Sequence, residues 1–237
     1  MKAIILAAGL GSRLNELTEN KPKALIEVNG KTMLEGVIQN LKAQGVNDFL
    51  INIHYLGQSI IDYLNNNDNF GVNITISDER EQLLNTGGAI LKAKNFIAGN
   101  EPVLVHNVDI VSYISIKDLL VYHNSSNSIA TLCVRKRDSE RGLLFNRSMQ
   151  LVGWTNLENN EFKWVNKKQM NYYIFAFSGI YMIAPNFTDL INNTGSFSII
   201  DAWLEIAINN LISGWVDSSP IWHDLGTIEK INAAENK

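Results

Sequence analysis

Short apolar runs alternate with segments of helical spacing through the first hundred residues. KAIILA (2–7) is a continuous apolar run, the pattern of a strand buried on both faces. TMLEGVIQNLKAQG (32–45) repeats its apolar positions at helical spacing and stops at Gly45, and DFLINIH (48–54) returns to strand alternation. GQSIIDYLNNN (57–67) reads as a short helix, VNITIS (72–77) as a strand, TGGAILKAKNFI (86–97) as a helix and PVLVHN (102–107) as a fourth strand. The second half breaks this rhythm. SIATLCV (128–134), GLLFN (142–146) and QLVGW (150–154) are short strand signals, and the polar stretch 157–171 reads as a loop or hairpin. YYIFAFSGIYMI (172–183) is a long strand, FSIIDAWLEIAINNLI (197–212) an amphipathic helix, IWHDLG (221–226) a strand and TIEKINAAE (227–235) a closing helix.

Strand, helix, strand in repetition predicts an α/β fold: a Rossmann-like, doubly wound, mostly parallel (mixed) sheet with helices on both faces, of the nucleotide-binding kind. Ligands of such sheets sit at the carboxyl ends of the strands. That is where LAAGLGSR, SDEREQLLNTGG and HNVD fall. With no internal repeat, low-complexity tract or linker, residues 1–237 are expected to form a single domain.

Composition narrows the partners. With 46% hydrophobic and 19% charged residues the chain has material for a sizeable core, and a net charge of −4 gives no basic field for nucleic acid. A small anionic ligand would need locally placed cations. Cys133 is the only cysteine, which excludes an intrachain disulfide and suits a reducing cytoplasm. The N-terminal apolar stretch is short and runs straight into glycines, so a buried strand is expected rather than a signal peptide. No run approaches the roughly 18 apolar residues of a membrane span. A soluble, cytoplasmic protein is expected, with self-association left open.

The candidate chemistry begins directly after the first strand. LAAGLGSR lacks the Walker spacing, because GLGSR is not followed by Lys and Ser or Thr. It lacks the third glycine of a dinucleotide fingerprint, where Leu14 stands. Ala7, Ala8, Gly9, Gly11 and Ser12 are nonetheless small enough for backbone N–H groups to approach an anion. Arg13 adds a planar cationic fork, and Lys23, just after Pro22, a second cation. The plainer alternative is a turn with two surface cations. The four histidines (54, 106, 123 and 223) have no zinc-ligand spacing.

LAAGLGSRLNELTENKPKALIEVNGK resembles the signature of sugar-1-phosphate nucleotidylyltransferases, G-x-G-x-R followed by P-K. YLGQSIIDYL, FGVNITIS and LLNTGGAI are similar to the short branch that holds N-acetylmuramate-1-phosphate uridylyltransferases and mannose-1-phosphate guanylyltransferase-like proteins. WHDLGTIEKINAAE is similar to that branch's W-x-D-x-G-T close. The resemblance covers the whole chain and implies a nucleotide-diphospho-sugar transferase fold without the C-terminal β-helix domain of longer relatives. It implies a nucleotide-binding half over about 1–112 and a sugar-phosphate-binding half over about 113–237. The implied reaction joins a nucleoside triphosphate to a sugar 1-phosphate and releases pyrophosphate.

By the same resemblance Arg13, Lys23 and Asp109 are the catalytic residues, and Leu6, Ala8, Gly9, Gly11, Ser12, Thr86, Gly87 and Asn107 complete the nucleotide site. Gly142, Ser178 and Gly179 would contact the acceptor. Asp109 and Asp224, each following an apolar strand, would share Mg²⁺, which takes one or two carboxylates and fills its shell with phosphate and water; each could instead be a strand-end cap. Asn85 or Thr86 is also expected to cap its helix, and Asp201 to face a helix dipole. Three departures leave base and sugar open. Val108 precedes Asp109 where many relatives have glycine. Arg80 stands where uridylyl-transferring relatives often have glutamine. Trp154 and Thr155 stand near the place of an acceptor-gripping Glu-Lys pair. A choline-phosphate cytidylyltransferase-like enzyme and a catalytically silent nucleotide-sugar sensor are the alternatives.

Overall fold

The structure, a computed structural model, describes residues 1–235. The chain forms two compact units that interleave in sequence. Met1–Leu84, Val105–Ile114 and the segment from Ser219 onward make the first; Asn85–Leu104 and Ser115–Ser218 make the second.

In the first unit, β1 (Lys2–Leu6), β4 (Asp48–Ile53) and β5 (Asn73–Asp78) form a parallel ladder, with Ile4 opposite Leu50 and Leu50 opposite Thr75. The end of β6 (Val103–Asn107) lies along the other side of β1. The sequence explains which strand is central: Ala3, Ile4 and Ile5 are all buried, whereas β5 exposes Asn73, Thr75 and Asp78, as an edge strand does. Helix α1 (Met33–Ala43) buries Met33, Leu34, Val37, Ile38 and Leu41 on one face, and the Thr32 hydroxyl caps it by accepting the Glu35 N–H. Thr32 also ends the short β2–β3 pair (Glu27–Val28 and Lys31–Thr32). Helix α2 (Gly57–Asn66) joins β4 to β5. The late segment adds β14 (Trp222–Asp224), antiparallel to β7 (Ile110–Ser112), and α7 (Ile228–Glu235).

The second unit contains α3 (Asn85–Lys92), α4 (Lys94–Ile97), α5 (Ile116–Ser126), α6 (Ile199–Ile206) and a mixed set of strands. Its long strand β12 (Tyr173–Ile183) pairs antiparallel with β8 (Ala130–Arg135) and β9 (Arg141–Phe145). Beyond β9 come β10 (Leu151–Asn156) and β11 (Glu161–Trp164), a hairpin whose turn and second strand lie in the polar stretch. Trp203 of α6 is fully buried, edge-on to Tyr181 and Phe177 at ring distances of 5.0 and 5.2 Å.

The α/β expectation holds, with two corrections. The helix expected over 197–212 ends at Ile206, and Ile212–Val216 instead forms β13, parallel to β8 with Ile212 opposite Ala130. Helix α5 was absent from the sequence expectation; Ser115 caps it, and its buried residues are Ile116, Leu119 and His123. Among the described residues no helix is long and apolar enough to cross a membrane.

Candidate active site

The loop after β1 is built by its glycines and by β4. Gly11 has φ +68°, and a Cβ there would lie 2.7 Å from the Thr18 methyl carbon and 3.2 Å from the Lys23 Cβ, so only glycine fits. Its carbonyl accepts the Leu14 N–H at 2.8 Å and the Thr18 hydroxyl at 3.2 Å, which starts the 3₁₀ turn Ser12–Thr18. Buried Leu14 pins that turn, and Ser12 and Arg13 stay at the surface. Gly9 is open, with space around the Cβ position. At Ala7 and Ala8 the N–H groups turn inward instead of outward, donating to Asn52 Oδ1 at 2.7 and 3.3 Å. Two of the five residues expected to offer their N–H groups to an anion therefore spend them inside the protein.

Three charged residues of this unit, Lys23, Asp109 and Asp224, gather beside the loop. Pro22 is extended and leads into a 3₁₀ turn in which Lys23 is buried. Lys23 Nζ forms an ion pair with Asp109 Oδ2. Val108, where many relatives have glycine, is buried and donates its N–H to the Leu6 carbonyl at 3.2 Å, so the turn into Asp109 accommodates a side chain. Asn107 is half-buried at the end of β6. The second aspartate arrives on β14, whose Asp224 lies opposite Ile110, while the Leu225 N–H donates to the Asp109 carbonyl at 2.8 Å. Asp224 accepts from Lys230 Nζ at 2.6 Å and from the Gly226 N–H at 2.8 Å. Burial works to raise the Asp224 carboxyl, but the Lys230 ion pair, the Gly226 N–H and the Lys23 charge together hold it below the ordinary carboxylate value.

Arg13 completes the group. A Cβ at Gly226 would fall 2.7 Å from Asp224 Oδ1 and 3.0 Å from Arg13 Nη2, so Gly226 lets guanidinium and carboxylate approach the same backbone. Asp109, in the turn just before β7, and Asp224, at the end of β14, are held together by a ladder and a backbone hydrogen bond and supply hard oxygen donors of the kind a divalent cation such as Mg²⁺ takes. Among the described residues no group of three or more His, Cys, Asp or Glu is placed to hold a metal, so protein ligands alone suit such a cation only if phosphate or water completes its shell. His106 is buried and bonded to the Asn107 carbonyl; burial pushes its imidazole down to about 4, leaving it neutral at pH 7. Lys230, Gly226, Asn52 and Glu79 were not singled out from the sequence. The W-x-D-x-G-T motif was the signal for Gly226; Lys230 is legible only as the next turn's cation once Asp224 precedes a helix.

The remaining predicted residues lie in the second unit. Thr86 Oγ1 accepts the Ile199 N–H at 3.0 Å, tying α3 to the start of α6. Gly87 donates its N–H to the Phe197 carbonyl at 2.9 Å, and the Phe197 ring fills the place of a Cβ. Packing alone therefore demands that glycine. Asn85 Oδ1 accepts the Thr86 N–H, with Asn85 at φ +59°. Gly142 lies under Ile174, whose methyl carbon covers the Cβ position; Ser178 is buried, and Gly179 has φ +78° at the irregular step of β12. Thr155 is buried and donates to the Glu161 carbonyl, so its hydroxyl is engaged within the hairpin. Beside it, Lys163 lies 5.4 Å from the Trp154 ring centre and 3.3 Å from Asp201. In the first unit, Arg80 folds back onto Asp78 and Gln58.

The family profile described as Nucleotidyl transferase matches residues 2–143, which carry the loop, Lys23 and Asp109. Over 242 aligned residues the chain is 29% identical to a bifunctional protein GlmU of Methanococcus maripaludis, covering 100% of this chain and 54% of that protein. It is 41% identical over 109 residues to an N-acetylmuramate alpha-1-phosphate uridylyltransferase of Caulobacter vibrioides, covering 45% of each chain. It is 31% identical over 195 residues to a probable mannose-1-phosphate guanylyltransferase 2 of Oryza sativa subsp. japonica, covering 81% of this chain and 52% of that one. The chain thus spans about half the length of these curated relatives. A UDP-glucose pyrophosphorylase solved with UDP-glucose shares the fold at TM-score 0.80 and 19% identity, over 99% of this chain and 97% of that one. So does a putative glucose-1-phosphate thymidylyltransferase from Bacillus anthracis, at TM-score 0.79 and 21% identity, over 100% of this chain and 94% of that one.

Proposed function

The chain belongs to the nucleotidyl transferase family, and from that premise we propose that it transfers a nucleotidyl group from a nucleoside triphosphate to a sugar 1-phosphate, releasing pyrophosphate. The observation that carries this reading is the gathering of Arg13, Lys23, Asp109 and Asp224 beside an open glycine loop in one unit. The acceptor phosphate has a second pKa of about 6 and is already largely ionised at neutral pH, so the reaction needs no general base. That agrees with His106 being neutral and buried. What the reaction needs is relief of repulsion between two polyanions brought in line.

Arg13 binds the β- and γ-phosphates that leave together. Lys23, released from Asp109, neutralises the α-phosphate and the incoming sugar phosphate. The Gly9–Ser12 backbone seats the phosphate chain, with Leu6 and Asn107 beside the nucleoside. Thr86 and Gly87 of the second unit serve the base, and Gly142, Ser178 and Gly179 the acceptor. Asp109 and Asp224 would hold Mg²⁺, which when bound supplies charge neutralisation on the phosphates.

Gly226→Ala is expected to lower turnover by about tenfold or more, because the added methyl displaces two side-chain ends and a shift near 1 Å is costly in an oriented site. Its melting temperature should move little, since both groups end near solvent. Kinetics and melts on one preparation check this; a wild-type turnover number would remove Arg13 and Asp224 from the reaction.

The test of the function itself is pyrophosphate release across ATP, GTP, CTP, UTP and dTTP with several sugar 1-phosphates and phosphocholine, with Mg²⁺ and with EDTA. A metal-dependent signal for a sugar phosphate supports the proposal and names base and acceptor. A signal with phosphocholine alone, or nucleotide-sugar binding without turnover, would replace it.

A further inference from the structure

Asn52 and Glu79 are nearly fully buried, at 4% and 2% exposure, and the chemistry above uses neither. Asn52 interrupts the core strand β4 between buried Ile51 and Ile53. A polar pair at such a position is costly unless every polar atom is bonded. Here the bonds are specific. Asn52 Oδ1 accepts the N–H groups of Ala7 and Ala8, and its amide nitrogen donates to Glu79 Oε1 at 2.8 Å. Glu79 Oε2 accepts the Leu84 N–H at 3.1 Å. Glu79 is itself fixed by its N–H on the Ile53 carbonyl, at 2.8 Å, and by its carbonyl, which receives the Gln82 N–H at 3.0 Å and lies 2.6 Å from His54 Nδ1.

One buried pair therefore holds the first two residues of the phosphate loop and the residue just before Asn85-Thr86-Gly87. An apolar pair would fill the same volume without serving those three N–H groups. We infer that Asn52 and Glu79 are positioning residues, a strut that sets the phosphate loop and the Leu84 turn in their nucleotide-binding geometry before any nucleotide arrives. Neither touches substrate. The inference rests on the proposed function, since it takes the loop to be the triphosphate site.

The strut can be inverted by the double variant Asn52→Asp with Glu79→Gln. The carboxylate then placed on β4 accepts from Ala7 and Ala8 as before. The amide then placed after β5 donates its nitrogen to that carboxylate, and its oxygen accepts from Leu84. Every hydrogen bond survives with the charge moved to the other position. Asn52→Asp alone sets two carboxylates against each other, and Glu79→Gln alone sets two N–H donors against each other. We would measure Kd by titration calorimetry for ATP, GTP, CTP, UTP and dTTP, the sugar-phosphate KM, and thermal melts.

Asn52→Asp should weaken the wild type's preferred triphosphate by about tenfold or more, as a misplaced buried hydrogen-bond group does, with the sugar-phosphate KM unchanged. The double variant should return to within about threefold of wild type, as a coupled pair requires. Single variants that melt lower but bind triphosphate as wild type overturn the inference, and so does a double variant no better than Asn52→Asp. If Asn52→Asp fails to fold, Glu79→Gln decides: wild-type affinity overturns the inference, a several-fold loss confined to the triphosphate supports it. The wild type is the separate control on the function, because an unaltered chain that binds none of the five triphosphates defeats the proposed reaction and the inference with it.

Discussion

Asp109→Asn should cut turnover by about a thousandfold or more, the scale of a lost charge-stabilising group, while the fold remains. Asparagine keeps the shape of the side chain. The backbone carbonyl that receives the Leu225 N–H is unaffected, so the junction between β7 and β14 survives. What disappears is the charge partner of Lys23 and one of two carboxylates available to a divalent cation. Removing one member of a fully buried ion pair costs about 3–5 kcal/mol. The cost here should be smaller, about 1–2 kcal/mol, because the Asp109 side chain keeps 18% exposure and Lys23 still feels the Asp224 charge. Pyrophosphate-release kinetics beside a thermal melt would show the split. Wild-type kcat in Asp109→Asn would take this carboxylate out of the proposed reaction.

The two parts of this protein were unequally legible. Strand β1 could be read because a buried parallel strand is written as an unbroken apolar run, β4 because its apolar residues keep strand alternation, and α1 because Thr32, Glu35 and the apolar spacing agree on its start and face. Helix α5 was hidden because only Ile116, Leu119 and His123 are buried on it, and a histidine and several polar residues dilute the period. The end of α6 was misread because Leu211 and Ile212 continue a helical apolar pattern; pairing with β8 wins over that local signal.

The charged site was legible for a different reason. Arg13, Lys23, Asp109 and Asp224 sit in short motifs whose residue types have few other uses together, and the fold joins strands distant in sequence to bring them near. The supports were not legible. Asn52 lies in a strand pattern where one polar residue among isoleucines has no stated purpose until Ala7 and Ala8 are seen to donate to it. Gly87 adds a second point: the glycine that resemblance assigns to a ligand also has a packing reason, because the Phe197 ring occupies the place of its Cβ.

Lys23→Ala separates attraction to phosphate from competition with metal, and its two expected effects have opposite sign. In the proposed reaction the α-phosphate and the acceptor phosphate then lose the cation that lets them meet, and kcat should fall by about a thousandfold. Lys23→Arg should not restore it, because a broad planar fork cannot take the place of a compact charge in this confined turn. Meanwhile Asp109 loses the ion pair that occupies one of its oxygens. In the absence of nucleotide, Mn²⁺ used as a spectroscopic probe should therefore bind Lys23→Ala more tightly than wild type, by about tenfold if the ion pair contributes on the order of 1.4 kcal/mol. Electron paramagnetic resonance titration of free Mn²⁺ measures this without any turnover. Loss of kcat together with tighter Mn²⁺ binding is what a lysine shared between carboxylate and phosphate requires. Loss of kcat with unchanged Mn²⁺ affinity would leave Lys23 as a phosphate ligand and move the metal away from Asp109. Unchanged kcat would deny Lys23 any part in the reaction.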